Sequence, residues 1–335
     1  RPVTASLIGV GATLRGTRTV NTSGTGIATF AGLSLLGKTG GYTLLLTAPG
    51  LVADTSQPVV ITPGVPVRIG LSTQPSPNGA SGLPLAQQPV AQVQDSSANA
   101  VALAGLDVTA TLATGTGTLL GDTIITTLAD GSAPFTDLAI SGSTGSRTIA
   151  FDAPGYVGVV SNAVQIGAGT PTQLGIVTQP AANGRSGVVL VTQPVVQLRD
   201  ASGNQVQVAG VGITAAVSVG GTLRGTVTIA TNANGNAIFG GLSIAGVVGS
   251  YTLDFTSPLL TGVTSNPIAL TAGLPALLTV TTQPAAAAQS GLTLPQQPVI
   301  QVRDSVGNAL AQAGITIVAS LASGPGGVLR GQVQV

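Results

Sequence analysis

The sequence predicts an all-β fold, in which two-sheet sandwiches follow one another along the chain. Its 48 Gly and 21 Pro, with abundant Thr, Val and Ala, suit strands and turns rather than helices. Apolar residues make up 43% of the chain and fall in alternating patterns that can bury a core. The same short words also recur about 105 residues apart. Structural repeats of solenoids span roughly 20–50 residues, so this longer period indicates a whole domain for each copy.

Two anchor words define the period and the domain boundaries. "TQP" begins at Thr73, Thr178 and Thr282, and "QPV" begins at Gln88, Gln193 and Gln297. Boundaries are placed where a Gly is followed two residues later by a Pro, which favours short, stiff joints. These joints are Gly64–Pro66, Gly169–Pro171 and Gly273–Pro275. The chain is therefore predicted to contain four repeats, numbered here in chain order. The first (1–64) is the later part of a repeat, the second (65–169) and the third (170–273) are complete, and the fourth (274–335) is the earlier part of a repeat.

Alternating residues predict the first strands of each repeat. Val196 and Leu198 alternate with Gln197 and Arg199, which is typical of a half-buried antiparallel strand. The strand that follows this one in each repeat is illustrated from the second repeat. There, Val108, Ala110 and Leu112 are expected to point inward and Thr109 and Thr111 outward. Further strands are predicted at 68–74, 118–127, 132–139, 146–153 and 160–167. About seven short strands in this length are expected of an immunoglobulin-like sandwich.

Turns and aromatic residues complete the predicted domain. The "DASGN" type of segment between the first alternating strands contains turn-forming residues. Phe30, Phe135 and Phe239 recur in register and are predicted to be core residues. Tyr42 and Tyr251 stand where the tyrosine corner of an immunoglobulin-like domain is found, but Arg147 takes this place in the second repeat.

The order of these words resembles a known family. The string "TQP…SG…QPVVQLRDASGN…VTA…GTLRGT…NGNAIFGGLSI…GSYTLDF" is similar to the tandem bacterial immunoglobulin-like (Big/invasin-like) domains of large surface and secreted proteins. The resemblance covers essentially the whole chain and implies an extracellular or cell-surface location. Such modules serve as spacers, adhesin stalks and fibre units, so the resemblance does not choose among these functions.

The residue types present argue against an enzyme. The chain has no Cys and no His, which removes the usual bases for activating a Ser or Cys nucleophile. The only carboxylate that recurs in all copies is that of Asp95, Asp200 and Asp304. One Asp in each loop falls short of the six to eight oxygens that calcium prefers, so a turn is favoured over a calcium site. No catalytic, cofactor-binding or metal-binding residue is therefore predicted, and no cofactor.

Charge and aromatic content exclude further classes of partner. A net charge of +1, with 6% charged residues, offers no basic cluster for nucleic acid. Aromatic residues on which sugars stack are scarce, at 2%. The longest apolar stretch is interrupted by Pro267, Pro275 and Pro284, so no membrane span is expected. The repeated "LRG" at Arg15, Arg224 and Arg330 is interpreted as a solvated arginine near a strand end.

The expected function is structural: the repeat region of an extracellular bacterial fibre, stalk or surface-layer-type assembly, with beads arranged in an extended rod that gives length and mechanical strength. The alternative is an adhesin whose repeats bind a receptor, glycan or surface directly. A third interpretation is a spacer attached to a catalytic domain elsewhere. Low charge also predicts packing against other copies or neighbouring surface components, laterally or head to tail.

The two incomplete repeats carry their own expectation. A half sandwich exposes its core and its strand edges, which is unfavourable in water. The sequence is therefore interpreted either as part of a longer repeat protein or as a subunit whose last half-repeat completes the first half-repeat of the next subunit.

Overall fold

A computed structural model describes all residues, Arg1–Val335, and every regular element in it is a β-strand. The all-β prediction is thus confirmed. The chain divides into two compact units. The first unit contains Arg1–Thr170 together with the loop Asp200–Asn204, and the second contains Pro171–Arg199 and Gln205–Val335. The chain has no helix long and apolar enough to cross a membrane.

The first unit contains eighteen strands. Those before the first joint are β1 (Pro2–Ile8), β2 (Ala12–Arg15), β3 (Thr19–Asn21), β4 (Ser34–Gly37), β5 (Gly40–Thr47), β6 (Asp54–Thr55) and β7 (Val59–Ile61). Those after it are β8 (Arg68–Thr73), β9 (Asn78–Ala80), β10 (Val90–Gln94), β11 (Asp107–Thr114), β12 (Thr118–Leu120), β13 (Ile124–Thr126), β14 (Ser132–Pro134), β15 (Ala139–Ser141), β16 (Gly145–Asp152), β17 (Val159–Val160) and β18 (Val164–Gly167).

The second unit contains the remaining fourteen strands. Those of 170–273 are β19 (Gln173–Thr178), β20 (Asn183–Arg185), β21 (Val195–Arg199), β22 (Gly212–Val217), β23 (Gly221–Arg224), β24 (Thr228–Ala230), β25 (Asn236–Ile238), β26 (Ser243–Gly246), β27 (Gly249–Tyr251), β28 (Leu253–Thr256), β29 (Val263–Thr264) and β30 (Ile268–Thr271). The last two are β31 (Leu277–Thr282) and β32 (Val299–Arg303).

The core of the second repeat lies between two sheets. One sheet has the order β14-β10-β8, and the other has the order β13-β11-β16-β18-β9. Phe135 and Phe151 are buried between them, with their ring centroids 5.2 Å apart and the rings nearly edge to face. Ile69 and Val93 of the smaller sheet belong to the same apolar cluster. The two-sheet sandwich predicted from the sequence is therefore present in this part of the chain.

The third repeat has equivalent sheets within the second unit. Strands β19-β21-β25 form one sheet, and β24-β22-β28-β29 belong to the other side of the core. Phe239 and Phe255 face each other with centroids 5.3 Å apart. Phe135 and Phe239 are both 2% exposed, so the core assignment of these two residues is confirmed. Phe30 is only half-buried.

The second repeat contains eleven strands rather than about seven, because three predicted strands are each broken in two. The segment predicted at 118–127 forms β12, which pairs with β15, and β13, which pairs with β11. The segment predicted at 132–139 likewise leaves one partner, β10, for another, β12. The third break, between β17 and β18, falls at Ser161, whose Oγ accepts a hydrogen bond from the Ile149 amide. The short strand β9 was not predicted.

Alternation is regular in β11 but not in β10 or β21. Val108 and Ala110 are buried while Thr111 is exposed, as predicted. The alternation predicts that Gln197 faces solvent, yet Gln197 and its counterpart Gln92 in the second repeat are both 8% exposed. Gln92 Nε2 donates to Asp130 O at 3.1 Å, in the turn before β14, and Gln197 Nε2 donates to Asn236 Oδ1 at 3.1 Å, in β25. The half-buried interpretation of these strands is therefore wrong, since both faces are covered.

The two incomplete repeats expose apolar surface. In the first, Val59 is 45% exposed, whereas its counterpart Val164 is fully buried. A cavity of about 370 Å³ lies beside Val59 and is also lined by Leu14, Leu35 and Leu44. In the last, Leu278 on β31 is 59% exposed, while its counterpart Ile69 is 2% exposed. The residues that form a closed core in the complete repeats are thus partly open to solvent here.

Leu259 is a strained residue that offers a test of the backbone. Its φ is 63°, whereas Gly155 takes the same conformation at the equivalent place in the second repeat. Its side chain is fully exposed, so it gains no burial in return. A non-glycine residue in this conformation costs about 1–2 kcal/mol, and a new glycine costs about 0.4–1 kcal/mol through the unfolded chain.

We therefore expect Leu259→Gly to stabilise the second unit by about 0.5–1 kcal/mol. The measurement is the urea midpoint of the full chain. Leu260→Gly is the matched control and should lower the midpoint, because Leu260 does not have a positive φ. Equal effects of the two substitutions would contradict this explanation.

Candidate functional site

The recurring Asp of each repeat begins a tight turn that ends at an Asn four residues later. In the loop Asp95–Asn99, the Asp95 amide donates to Asn99 O at 3.0 Å and the Ala98 amide donates to Asp95 O at 3.1 Å. The loops Asp200–Asn204 and Asp304–Asn308 contain the same bonds. The turn predicted from "DASGN" is thus confirmed. Ala98 takes a φ of 61° where the other loops have Gly203 and Gly307.

The Asp carboxylate accepts four hydrogen bonds. Asp95 Oδ1 accepts from the amides of Ser97 and Asn99, both at 2.9 Å. Asp95 Oδ2 accepts from Asn99 Nδ2 at 2.9 Å and from the amide of Gly64, in the joint before the repeat, at 2.8 Å. The amides of Gly169 and Gly273 make the equivalent bond to Asp200 and Asp304, each at 2.8 Å. Each Asp therefore fixes both its own loop and the joint.

The Asn at the end of the loop extends these bonds to a β-turn on the other side of the joint. Asn99 Nδ2 donates to Gly37 O and Asn99 Oδ1 accepts from the Thr39 amide, both at 2.9 Å. Equivalent bonds join Asn204 to Gly142 O (2.8 Å) and the Thr144 amide (3.1 Å), and Asn308 to Gly246 O (2.9 Å) and the Val248 amide (3.0 Å). We call each set of Asp, Asn, joint Gly and turn residues the Asp–Asn clasp.

The turn that the Asn contacts is itself held by the residue at the tyrosine-corner position. Tyr42 Oη donates to Lys38 O at 3.0 Å, and Tyr251 Oη donates to Val247 O at 2.8 Å. Arg147 replaces Tyr in the second repeat, and its Nη2 donates to Ser143 O at 2.8 Å. Arg147 is 5% exposed and makes the same bond to the carbonyl four residues upstream. The exchange of Tyr for Arg thus preserves the turn.

Hydrogen bonding to the clasp carboxylates lowers their pKa values. Burial by itself would raise the pKa of Asp95, but the bonds from Gly64, Ser97 and Asn99 outweigh it and lower the pKa to about 2. The pKa values of Asp200 and Asp304 are also lowered, again because their hydrogen bonds outweigh burial. The carboxylates are therefore ionised at neutral pH and bound to N–H donors, which makes their bonds charge-assisted.

The clasp chemistry is that of a structural contact. Both oxygens of each clasp carboxylate already face N–H donors, whereas a calcium ion needs several free oxygens. Other aspartates are bonded within a local turn, as Asp130 is to Ser132, or across paired strands, as Asp254 is to Thr264. The structure contains no group of three His, Cys, Asp or Glu side chains that could hold a metal ion.

Sequence reasoning identified Asp95, Asp200 and Asp304 but missed their partners. The Asn was read only as a turn residue, and the joint Gly only as a stiffening element. The signal that could have revealed them is spacing, because each joint Gly precedes its Asp by 31 residues and each Asn follows it by four. Arg15, Arg224 and Arg330 of "LRG" are exposed, as expected.

Comparisons with known proteins add the following findings. No protein-family model matches the sequence, and no curated protein matches it. Among solved structures, the chain is similar to the D0-D1 domain of intimin, with 16% identity, a TM-score of 0.26, and coverage of 60% of this chain and 96% of that chain. It is similar to FdeC, an Escherichia coli adhesin, with 16% identity, a TM-score of 0.30, and coverage of 80% and 86%.

A third solved structure is an enzyme. Parabacteroides merdae β-glucuronidase has 12% identity and a TM-score of 0.24, and the match covers 62% of this chain and 24% of that chain.

The third clasp gives a direct test of the Asn contribution. Asn308→Ala removes three side-chain hydrogen bonds and leaves the buried Gly246 O and the partly buried Val248 amide without their partner. At about 1 kcal/mol for each bond, we expect a loss of about 2–3 kcal/mol. Amide hydrogen exchange should be accelerated at Val248 and Gly273. The control is Asn266→Ala, an exposed Asn, which should leave both amides protected; unchanged protection in Asn308→Ala would contradict the clasp.

The pKa values predict how stability depends on pH. The clasp carboxyls have folded pKa values below the unfolded value of 3.8, so their contribution is complete above about pH 4 and is lost as the pH falls through the folded pKa values, which is about 2 for Asp95. The melting temperature of the full chain should therefore fall between pH 4 and pH 2. In the variant carrying Asp95→Asn, Asp200→Asn and Asp304→Asn, the melting temperature should be lower at pH 7 and should change less over the same range. A parallel fall in both proteins would rule out the clasp as its source.

Proposed function

We propose that this chain is a structural repeat region of an extracellular bacterial fibre, stalk or surface assembly, and that it supplies length and mechanical strength. The observation that supports this is the recurrence of the Asp–Asn clasp. In the first unit the clasp of Asp95 ties 65–169 to 1–64, and in the second unit the clasp of Asp304 ties 274–335 to 170–273. The contacts at the joint recur as regularly as the core residues do. We infer that these contacts hold neighbouring domains in a set geometry.

The bonds of the clasp suit a load-bearing role. Each joint is closed by the main chain and by at least three further hydrogen bonds, one of which involves a buried carboxylate. A force that separates neighbouring repeats must break these bonds together, because they join the loop of one repeat to the turn and the joint of its neighbour. The absence of Cys from the sequence means that this stiffness does not depend on disulfides.

Exposed apolar side chains support contacts with other copies or with neighbouring surface components, laterally or head to tail. Five such side chains are more than nine-tenths exposed: Val10, Val52, Val191, Val219 and Leu259. With only 6% charged residues, the chain has little repulsion to oppose association. Cell-surface or extracellular location is part of this proposal.

The alternative is an adhesin whose repeats bind a receptor or glycan. Outward-facing Thr side chains offer a polar surface, but several bond each other, such as Thr4 with Thr19 at 3.0 Å and Thr214 with Thr228 at 3.0 Å. These pairs are accounted for by strand-to-strand stabilisation. Saturable binding of the full chain to cells or to a glycan array would favour the adhesin over the stalk.

Small-angle X-ray scattering of the full chain tests the stalk. We expect the scattering of a rod, with a maximum dimension several times its cross-section, because the clasps at Gly64 and Gly273 hold their repeats in one geometry within each unit. A compact particle would contradict the proposal. A concentration series in the same experiment reports association, which should increase with concentration; a monomer at all concentrations would contradict the proposed lateral contacts.

A further inference from the structure

On the far side of the joint, the Asp and Asn side chains of each clasp bond only main-chain atoms. Asn204 bonds the carbonyl of Gly142 and the amide two residues later, Thr144. Asp200 bonds the amide of Gly169. The loop Asp200–Asn204 and all three of these partners belong to the first unit. The other two clasps use the same main-chain atoms, with distances that agree within 0.3 Å.

Side chains of the contacted turn differ between the copies without altering these bonds. The turn reads Gly-Lys-Thr at 37–39, Gly-Ser-Thr at 142–144 and Gly-Val-Val at 246–248. A cation, a hydroxyl and an aliphatic side chain thus occupy the same middle position. The side chain that donates to the carbonyl of the middle turn residue is Tyr in two copies and Arg in one. Recognition therefore does not depend on the chemistry of these side chains.

Glycine is what the copies share, and the geometry explains why. A Cβ on Gly246 would lie 2.6 Å from Tyr251 Oη, and Gly142 has a φ of 152° with a Cβ position 3.0 Å from Gly117. At the joint, a Cβ on Gly169 or Gly273 would overlap the carbonyl of Ser81 or Ser186 in its own repeat. These glycines are thus required by the repeat to which they belong, and the clasp uses the main chain that they leave accessible.

Two clasps each have a side-chain contact of their own. In the first, Lys38 Nζ donates to Ala98 O at 3.0 Å. The other contact belongs to the second clasp. Ser202 Oγ lies 3.0 Å from Ser81 Oγ and 3.3 Å from Ser141 Oγ. The residues at the place of Ser202 are Ser97 and Val306, and a Val cannot make such a bond. This contact is therefore an addition to the shared clasp and not a condition for it.

We propose that the opening loop of any repeat fits the closing end of any other, so that repeats are interchangeable neighbours. The partner surface is defined by a glycine carbonyl, the amide two residues later, and the amide of the joint glycine. An array can then lose or gain whole repeats without forming a new kind of interface. This goes beyond the stalk, because it concerns which repeats can be adjacent and holds or fails whatever the shape of the array.

The first test replaces the side chains of one turn in the full chain. Ser141→Ala, Ser143→Val and Thr144→Val together give the second repeat the turn of the third and leave Gly142 in place. We expect protection of the Gly169 amide from hydrogen exchange to stay within about threefold of the native chain. The control Gly142→Ala removes no polar atom but disturbs the main chain, and should reduce this protection at least tenfold. A tenfold loss in the triple variant would overturn the proposal.

The second test creates a new pair of neighbours. Deletion of 170–273 places Leu274 directly after Gly169, so that the loop Asp304–Asn308 meets the closing end of 65–169. We expect the Gly169 and Thr144 amides to be as protected as in the full chain, and Asn308→Ala in the shortened chain to abolish this protection. Unprotected amides, or a shortened chain that does not fold, would count against interchangeable repeats.

Discussion

The hydrogen bonding of one carboxylate in each joint is the interaction on which the rest of this structure depends. A buried charge is unfavourable unless it is fully hydrogen-bonded, and Asp304, at 1% exposed, meets this condition with four N–H donors. Two donors come from its own turn, one from the Asn that ends the loop and one from the joint. The same charge therefore shapes the loop, orients the Asn and fixes the first residue of the connection. Removal of any one donor leaves part of a buried anion unpaired.

The rest of the chain uses the same type of bond without the charge. Gln88 of the "QPV" word donates to Leu85 O and Leu138 O and accepts from the Leu138 amide, and Gln193 makes the equivalent bonds. Ser161 and Ser265 each bond the main chain of a neighbouring strand. Side-chain-to-main-chain bonds thus define the connections between strands in a protein with few ionic groups. Three of the repeated words, "TQP", "QPV" and the "DASGN" type of segment, each close such a connection.

The fold was predictable where the cause is local. Strand β11 shows its alternation directly, and Phe135 and Phe239 reveal the core by their periodic spacing. Strand breaks were not predictable, because two of the three arise where the chain changes partner between sheets. At the third, β17 and β18 both pair with β16, and Ser161 between them bonds the Ile149 amide. Burial of Gln92 was also hidden, since it depends on a turn nearly forty residues away.

The candidate site shows the same division. Asp95 and its turn follow from neighbouring residues and were predicted. The partners of Asn99 lie 60 and 62 residues earlier in the chain, so no local pattern indicates them. The equivalence of Arg147 and Tyr251 could not be read from residue type either. It follows from the position of a carbonyl group that both side chains reach with an N–H or O–H donor.

We propose that the Asp–Asn clasp of Asp95 holds the repeats on either side of Gly64 in one geometry. Because the chain has no Cys, spin labels can be placed at Thr55→Cys and Thr111→Cys, two exposed positions on either side of the joint at Gly64. Double electron–electron resonance then measures the distribution of distances between the labels. We expect one narrow distribution of label-to-label distances in the labelled chain and a clearly broader one when Asp95→Ala is added. Distributions of equal width with and without Asp95 would contradict it.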